Sequence, residues 1–259
     1  MNNMNNMNDV NGRDNAATRP AILQLPQLCL QGALSCFQQA CLLVVGGRAP
    51  EVEWLRKASE GRIVWAVDHG LDACLAAGIV PQRLIGDGDS AAPAAWHFAE
   101  KKGIPIEKFP PEKDDTDTQL ALRIAKEAGF PAAIVTGAFG GRFDHALSTV
   151  MSCAFAPLPC LLADEREAIF FVHGGESVTC TPESAPKAIS LLPLTGSCRG
   201  VNLTGMHWPL AGATLEARSM RAVSNVLAEG SSSLSVSLTD GLLGVYFVWR
   251  EGQDQQKRR

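Results

Sequence analysis

Arg62-Ile63-Val64-Trp65-Ala66-Val67-Asp68-His69-Gly70-Leu71-Asp72-Ala73-Cys74-Leu75-Ala76-Ala77-Gly78 is the stretch on which the fold turns. Residues 62–67 read as a strand and 71–77 as a helix closed by Gly78, with Asp68-His69-Gly70 between them. The same alternation continues on both sides. Apolar runs at 42–46, 83–85, 132–135 and 160–163 read as strands and 104–108 as an extended segment. Residues 51–59, 94–102, 117–128 and 144–155 read as helices, with Gly103, Gly129 and Pro157 as stop signals. Strand–helix alternation of this kind predicts a mostly parallel sheet covered on both faces.

The character changes near residue 166. Short segments at 169–172, 177–179, 188–192, 214–217, 233–238 and 244–249 alternate intermittently and are punctuated by Gly, Pro, Ser and Thr. That pattern favours an all-β sandwich or barrel. The expected fold class is therefore an N-terminal, mostly parallel α/β sheet domain followed by a C-terminal β-sandwich. The expected division is a disordered extension at 1–20, an α/β domain at 21–165, a β-sandwich at 166–252 and a disordered tail at 253–259.

Composition narrows the function. The chain has 259 residues, 46% of them apolar, which is ample for a folded core. Its net charge of -4 excludes nucleic acid as the main partner, because phosphate-backbone binding needs a clustered excess of Lys and Arg. Lys257-Arg258-Arg259 reads as a solvated terminus. None of the eight cysteines forms a CxxC pair and most sit in apolar runs, so they read as buried thiols in a reducing compartment. No run approaches the ~20 apolar residues of a membrane span, and the Asn/Met-rich start lacks the features of a secretion signal. The expectation is a cytoplasmic protein with no membrane partner.

Acidic residues recur where predicted strands end, the place at which open α/β sheets bind ligands. Asp68 follows the strand at 62–67. Asp87 and Asp89 lie in Gly86-Asp87-Gly88-Asp89-Ser90, after 83–85. In extended chain, residues two apart point to one side, so both carboxylates can reach one hard cation. Asp114, Thr116 and Asp117 stand in Lys113-Asp114-Asp115-Thr116-Asp117, directly before a helix. Carboxylates clustered without His or Cys point to Mg²⁺ shared with substrate phosphates. Gly140 and Gly141 open the backbone to an anion before the helix at 144–155; Arg142 offers a planar fork of donors, and Asp144 either ligates metal or holds Arg142. Each segment also has a plain structural reading: a turn at Gly86–Ser90, a helix cap at Thr116, a strand-to-helix turn with a surface ion pair at Arg142 and Asp144.

No GxxxxGK[ST], GxGxxG or Gly-x-Ser-x-Gly motif is present. None of the five histidines pairs at metal-ligand spacing. In the β-rich region Trp208, before Pro209, presents a flat face to an aromatic ligand or packs in a sheet; Ser224 and Asn225 belong to a binding wall or to a turn.

In ordered succession these segments resemble the thiamine pyrophosphokinases. The resemblance rests on Asp68-His69-Gly70, Gly78-Ile79-Val80-Pro81 with Gly86-Asp87-Gly88-Asp89-Ser90, Lys113-Asp114-Asp115-Thr116-Asp117, Gly140-Gly141-Arg142-Phe143-Asp144-His145, Gly205-Met206-His207-Trp208-Pro209-Leu210 and Ser224-Asn225. It implies an α/β domain for ATP and Mg²⁺, a β-sandwich for thiamine, and a homodimer whose site lies between subunits. By matching position, Asp87, Asp89 and Asp117 resemble the metal or diphosphate acids, with Asp68, Asp114 and Asp144 nearby. Arg142 resembles a phosphate contact, Trp208 the Trp that stacks on thiamine, and Ser224 and Asn225 its polar neighbours. His69 and Asp72 stand where the family often has Gly and Asn, and Gly88 where a bulky apolar residue is common.

The reaction implied is transfer of diphosphate from ATP to the thiamine hydroxyl. Its rivals are a pyrophosphokinase for another heterocyclic alcohol such as a hydroxymethyl-pterin, a non-catalytic nucleotide- or thiamine-binding protein, and a Mg²⁺-dependent phosphohydrolase. Trp208, Ser224 and Asn225 favour thiamine, and the number of carboxylates favours catalysis.

Overall fold

The structure, a computed structural model, describes residues 22–32, 35–86, 92–109 and 114–249. Asp87, Gly88, Asp89, Lys113, the expected extension at 1–20 and the expected tail at 253–259 lie outside the described residues.

The chain begins with a hairpin of β1 (Ile22–Leu25) and β2 (Leu28–Gly32), then a 3-10 turn at Ser35–Gln39. Strands and helices then alternate: β3 (Cys41–Val44), α1 (Val52–Ser59), β4 (Val64–Val67), α2 (Gly70–Ala76), β5 (Arg83–Gly86), α3 (Pro93–Lys102), β6 (Ile106–Lys108), α4 (Asp117–Glu127), β7 (Ala133–Thr136), α5 (Phe143–Ala154) and β8 (Cys160–Ala163). The rest is strand: β9 (Glu167–His173), β10 (Ser177–Pro182), β11 (Ala188–Pro193), β12 (Ser197–Thr204), β13 (Leu210–Glu216), β14 (Leu234–Ser237) and β15 (Leu242–Val248).

Local chemistry accounts for these elements. Strands β3, β4, β7 and β8 are buried at every position, as strands covered on both faces must be. Helix α4 starts on a capping box: Gln119 N donates to Thr116 Oγ1 at 3.3 Å and Thr116 N to Gln119 Oε1 at 2.8 Å. It buries Leu120, Ala121, Leu122, Ile124 and Ala125, a broad apolar face. Gly103 ends α3 in the left-handed region.

The strands build two sheets. One holds nine in the order β11-β15-β9-β8-β7-β3-β4-β5-β6, parallel from β8 to β6 and antiparallel beyond β8. The other holds six, β1-β2-β10-β14-β12-β13, all antiparallel. One apolar core lies between the six-stranded sheet and one face of the larger sheet and continues under α1, α2 and α3. A second core fills the opposite face beneath α4 and α5. Together these give the expected parallel α/β half and antiparallel β-rich half.

Three strands escape the sequence reading. The β1–β2 hairpin has a period of two, with Leu23, Leu25, Leu28 and Leu30 all buried, yet it lies ahead of the strand–helix alternation. It pairs with β10, so the residues at 22–32 belong to the six-stranded sheet, although they fall within the stretch expected to be α/β. Strand β12 is hidden by register shifts between Cys198 and Val201 and between Val201 and Leu203, which break its alternation. Across the expected boundary at 165/166 the chain turns from β8 into β9 without leaving the sheet.

All eight cysteines are free thiols, six of them buried. Among the described residues no helix is long and apolar enough to cross a membrane.

Candidate active site

Strand order reverses beside β3: the chain steps outward through β4, β5 and β6, then returns to place β7 on the other side of β3. Open α/β sheets bind ligands at such a switch point, outside the carboxyl ends of the strands. Here those ends carry two glycine loops locked together. Val45 N donates to Thr136 O (2.8 Å), Gly47 N to Gly137 O (2.7 Å) and Arg48 N to Phe139 O (2.7 Å). A Cβ on Gly137, at φ +73, would sit 2.2 Å from Val45 O; one on Gly47 would sit 2.3 Å from Gly137 O. Neither position admits a side chain. Gly140 and Gly141 follow, both exposed and both at positive φ, directly before Arg142 and α5.

Arg142 and Asp144 form a two-pronged ion pair: Nε donates to Oδ1 at 3.1 Å and Nη2 to Oδ2 at 2.5 Å. Both are exposed. The hydrogen bonds from Arg142 hold the Asp144 carboxyl below its usual range. Of the two roles open to Asp144, holding Arg142 is the one seen.

Asp68 directly follows β4 in the left-handed region, at φ 47. Its Oδ1 is out of solvent, and a Cβ on Gly86, at φ +148, would lie 1.7 Å from that oxygen. The last residue of β5 is therefore a glycine because a carboxylate fills the place of its side chain. Asp117 is the first residue of α4, which packs on β4 and β5. Thr116 caps the helix, and Asp114 is exposed just ahead of it. Residues 87–89 continue directly from Gly86, so Asp87 and Asp89 follow the strand beside Asp68 in sequence. Among the described residues no group of three His, Cys, Asp or Glu side chains is placed to hold a metal. The donor chemistry nevertheless fits a hard cation: Asp68 and Asp117 offer carboxylate oxygens, and the buried Oδ1 against Gly86 shows the backbone shaped around one of them.

The second site is a pocket of about 550 Å³ in the β-rich half. Trp208, Ser224 and Asn225, singled out from sequence, all line it. Trp208 is 59% exposed, with His207 edge-on at 4.5 Å. Asn225 is buried and works on the backbone: its Nδ2 donates to Trp208 O (2.8 Å), and its Oδ1 accepts from Trp208 N (3.2 Å) and Val226 N (2.9 Å). It fixes the tryptophan loop. Ser224 sits at φ 58, and its N donates to Ser190 Oγ at 3.0 Å.

A third cluster was not found from sequence. Arg48 Nη2 donates to Asp164 Oδ2 (2.5 Å) and to Glu167 Oε1 (2.7 Å), and Tyr246 OH donates to Glu167 Oε2 (2.5 Å). Asp164 Oδ1 accepts from Arg166 N (2.8 Å) and Glu167 N (2.9 Å). Gln27 Nε2 donates to Asp164 O (2.6 Å), and Trp54 Nε1 to Gln27 Oε1 (2.7 Å). The network ties the β3 loop to β8, β9, β15 and the first hairpin. Burial raises the Asp164 carboxyl above its usual range, more than Arg48 and the two amides lower it. Burial pulls Arg48 down, but its bonds to Glu167 and Asp164 outweigh that. The one sequence signal was Asp164 itself, an acid closing an apolar strand as Asp68 does.

Comparison with known proteins bears on both sites. The family model described as "Thiamin pyrophosphokinase, catalytic domain" matches residues 55–156, which hold Asp68, Asp117 and Arg142. "Thiamin pyrophosphokinase, vitamin B1 binding domain" matches residues 177–243, which hold the tryptophan pocket. Thiamine pyrophosphokinase of Bacillus subtilis (strain 168) is 27% identical over 197 residues, covering 74% of this chain and 92% of that one. The crystal structure of thiamine pyrophosphokinase from Bacillus subtilis superposes with a TM-score of 0.73 at 25% identity, over 82% of this chain and 100% of that one. A thiamin pyrophosphokinase family protein from Enterococcus faecalis gives 0.70 at 26% identity, again over 82% and 100%.

Proposed function

The chain belongs to the thiamin pyrophosphokinase family, and on that premise we propose that it transfers the diphosphate of ATP to the hydroxyl of thiamine, giving thiamine diphosphate and AMP. The observation that carries this reading is the pocket walled by Trp208 and the Asn225-fixed loop, lying within the stretch matched by the vitamin B1 binding model.

The chain's own groups then divide the work. Trp208 offers a flat face to an aromatic ring, and Asn225 holds that face in place. The thiamine hydroxyl oxygen bonds to the β-phosphorus of ATP. The bond from that phosphorus to the oxygen bridging to the α-phosphorus breaks, and AMP leaves with the electron pair. The hydroxyl proton passes to a carboxylate on the acidic edge. The amides of Gly140 and Gly141, two exposed residues, with the Arg142 fork, receive phosphate oxygens as charge builds on them. Asp87, Asp89 and Asp117 would hold Mg²⁺, which would supply charge compensation to the phosphates, with Asp68 and Asp114 as the further acids of the set.

The reading extends to a cytoplasmic homodimer with the site shared between subunits. What supports a dimer is exposed apolar surface beside the phosphate loop: Phe143, 79% exposed, and Leu147 one turn on along α5.

The test is incubation of the purified full chain with ATP, Mg²⁺ and a panel of heterocyclic alcohols, followed by mass analysis. Thiamine diphosphate and AMP should appear together, and with thiamine alone among the acceptors. AMP release independent of any acceptor would sink the transferase reading. Asp117→Asn should lower turnover by about 100-fold or more with the fold intact.

A further inference from the structure

The tryptophan pocket is graded from floor to rim. Ile189, Leu191, Leu203 and Met206 form a buried apolar floor. Trp208 and Arg221 are exposed at the rim. Among the described residues lining the pocket, Arg221 is the one charged side chain. Its Nε donates to Ser219 Oγ at 2.9 Å. No carboxylate among the described residues lies within ion-pair distance of it. The nearby acid, Glu216, pairs with Arg218 at 2.8 Å and feels the charge of Arg221 only at longer range.

A cation as the one charged group of the lining is an odd wall for a pocket that takes thiamine, whose thiazolium ring is itself positive. Two like charges repel, and nothing in the lining compensates. The sign reverses once the hydroxyl has been diphosphorylated, because that end of the molecule is then an anion. An apolar floor draws the ring system inward and leaves the hydroxyethyl arm at the mouth, since a charged diphosphate is not desolvated against Leu and Met. Arg221 stands at that mouth with a planar fork of donors suited to phosphate.

We propose that Arg221 binds the diphosphate of the product at the rim, so that the pocket holds thiamine diphosphate in preference to thiamine. Arg221 is thus a specificity-determining residue for the phosphorylated form and the seat of product retention. The inference rests on the thiamine reading above.

Titration calorimetry on the full chain tests it, with thiamine and thiamine diphosphate as the two ligands. Arg221→Gln should weaken thiamine diphosphate by about tenfold, the loss of one charge-assisted phosphate contact, and move thiamine by less than about twofold. Arg221→Lys, which keeps the charge and loses the fork, should recover part of the loss. Equal losses for both ligands, or no loss for the diphosphate, would overturn the assignment while leaving the thiamine pocket standing. A wild-type chain that bound neither ligand would overturn both.

Discussion

Asp164→Ala tests how much of the fold hangs on the buried ion-pair network. The Asp164 side chain is wholly out of solvent, whereas Arg48 is 22% exposed. Removing one partner of a buried pair costs about 3–5 kcal/mol. The partial exposure of Arg48 and its second partner, Glu167, bring that share down to about 2 kcal/mol. The amides of Arg166 and Glu167 lose their acceptor as well, which adds roughly 1–2 kcal/mol. The expected loss is about 3–4 kcal/mol, and at about 2–4 °C per kcal/mol for a chain of this size the melting point should fall by about 10 °C. Asp164→Asn keeps an acceptor for the amides and should lose only about half as much. Urea unfolding followed by circular dichroism measures both, and a cycle with Arg48→Met isolates the coupling. A loss below about 1 kcal/mol for Asp164→Ala, or strict additivity with Arg48→Met, would refute the account.

Three further outcomes follow from the site. Trp208→Ala should raise the KM for thiamine by about tenfold and leave the KM for ATP in place, as steady-state kinetics with each substrate varied will show. Gly137→Ala puts a Cβ 2.2 Å from Val45 O at a φ of +73 and should cost about 2 kcal/mol or more, together with activity, because the two glycine loops must part; a soluble variant melting like the parent would contradict this. The Asp144 carboxyl is held low by Arg142, so its contribution to stability is present above its ordinary value of 3.8 and is lost as pH falls through its folded value. Asp144→Asn should flatten the melting-versus-pH curve in that acid window at low salt, and the difference should shrink in 1 M salt because the pair is exposed.

What the sequence made legible was local. Period, cap and stop signals place α4 at its capping box and β8 at its apolar run because each is decided by residues within a few positions of one another. Trp208, Ser224 and Asn225 were visible as a group, but not the way they divide: one faces the pocket and another is spent on backbone hydrogen bonds. The Arg48 network was invisible because its partners come from five separated stretches, and no spacing rule joins residue 48 to 164, 167 and 246. Strand β12 was lost for a different reason, since a bulge puts neighbouring residues out of phase with the pleat.

The first hairpin has a consequence for biogenesis. β2 finds its neighbour in β10, a strand from the last third of the chain, so during synthesis a pair of leucine-rich strands leaves the ribosome long before the edge that will receive them. Closing so large a loop is entropically slow, and until it closes the hairpin is a sticky ribbon in need of shelter. Deleting residues 22–32 would transfer the hazard to the finished protein: β10 would become a bare sheet margin inviting a second molecule to dock strand against strand.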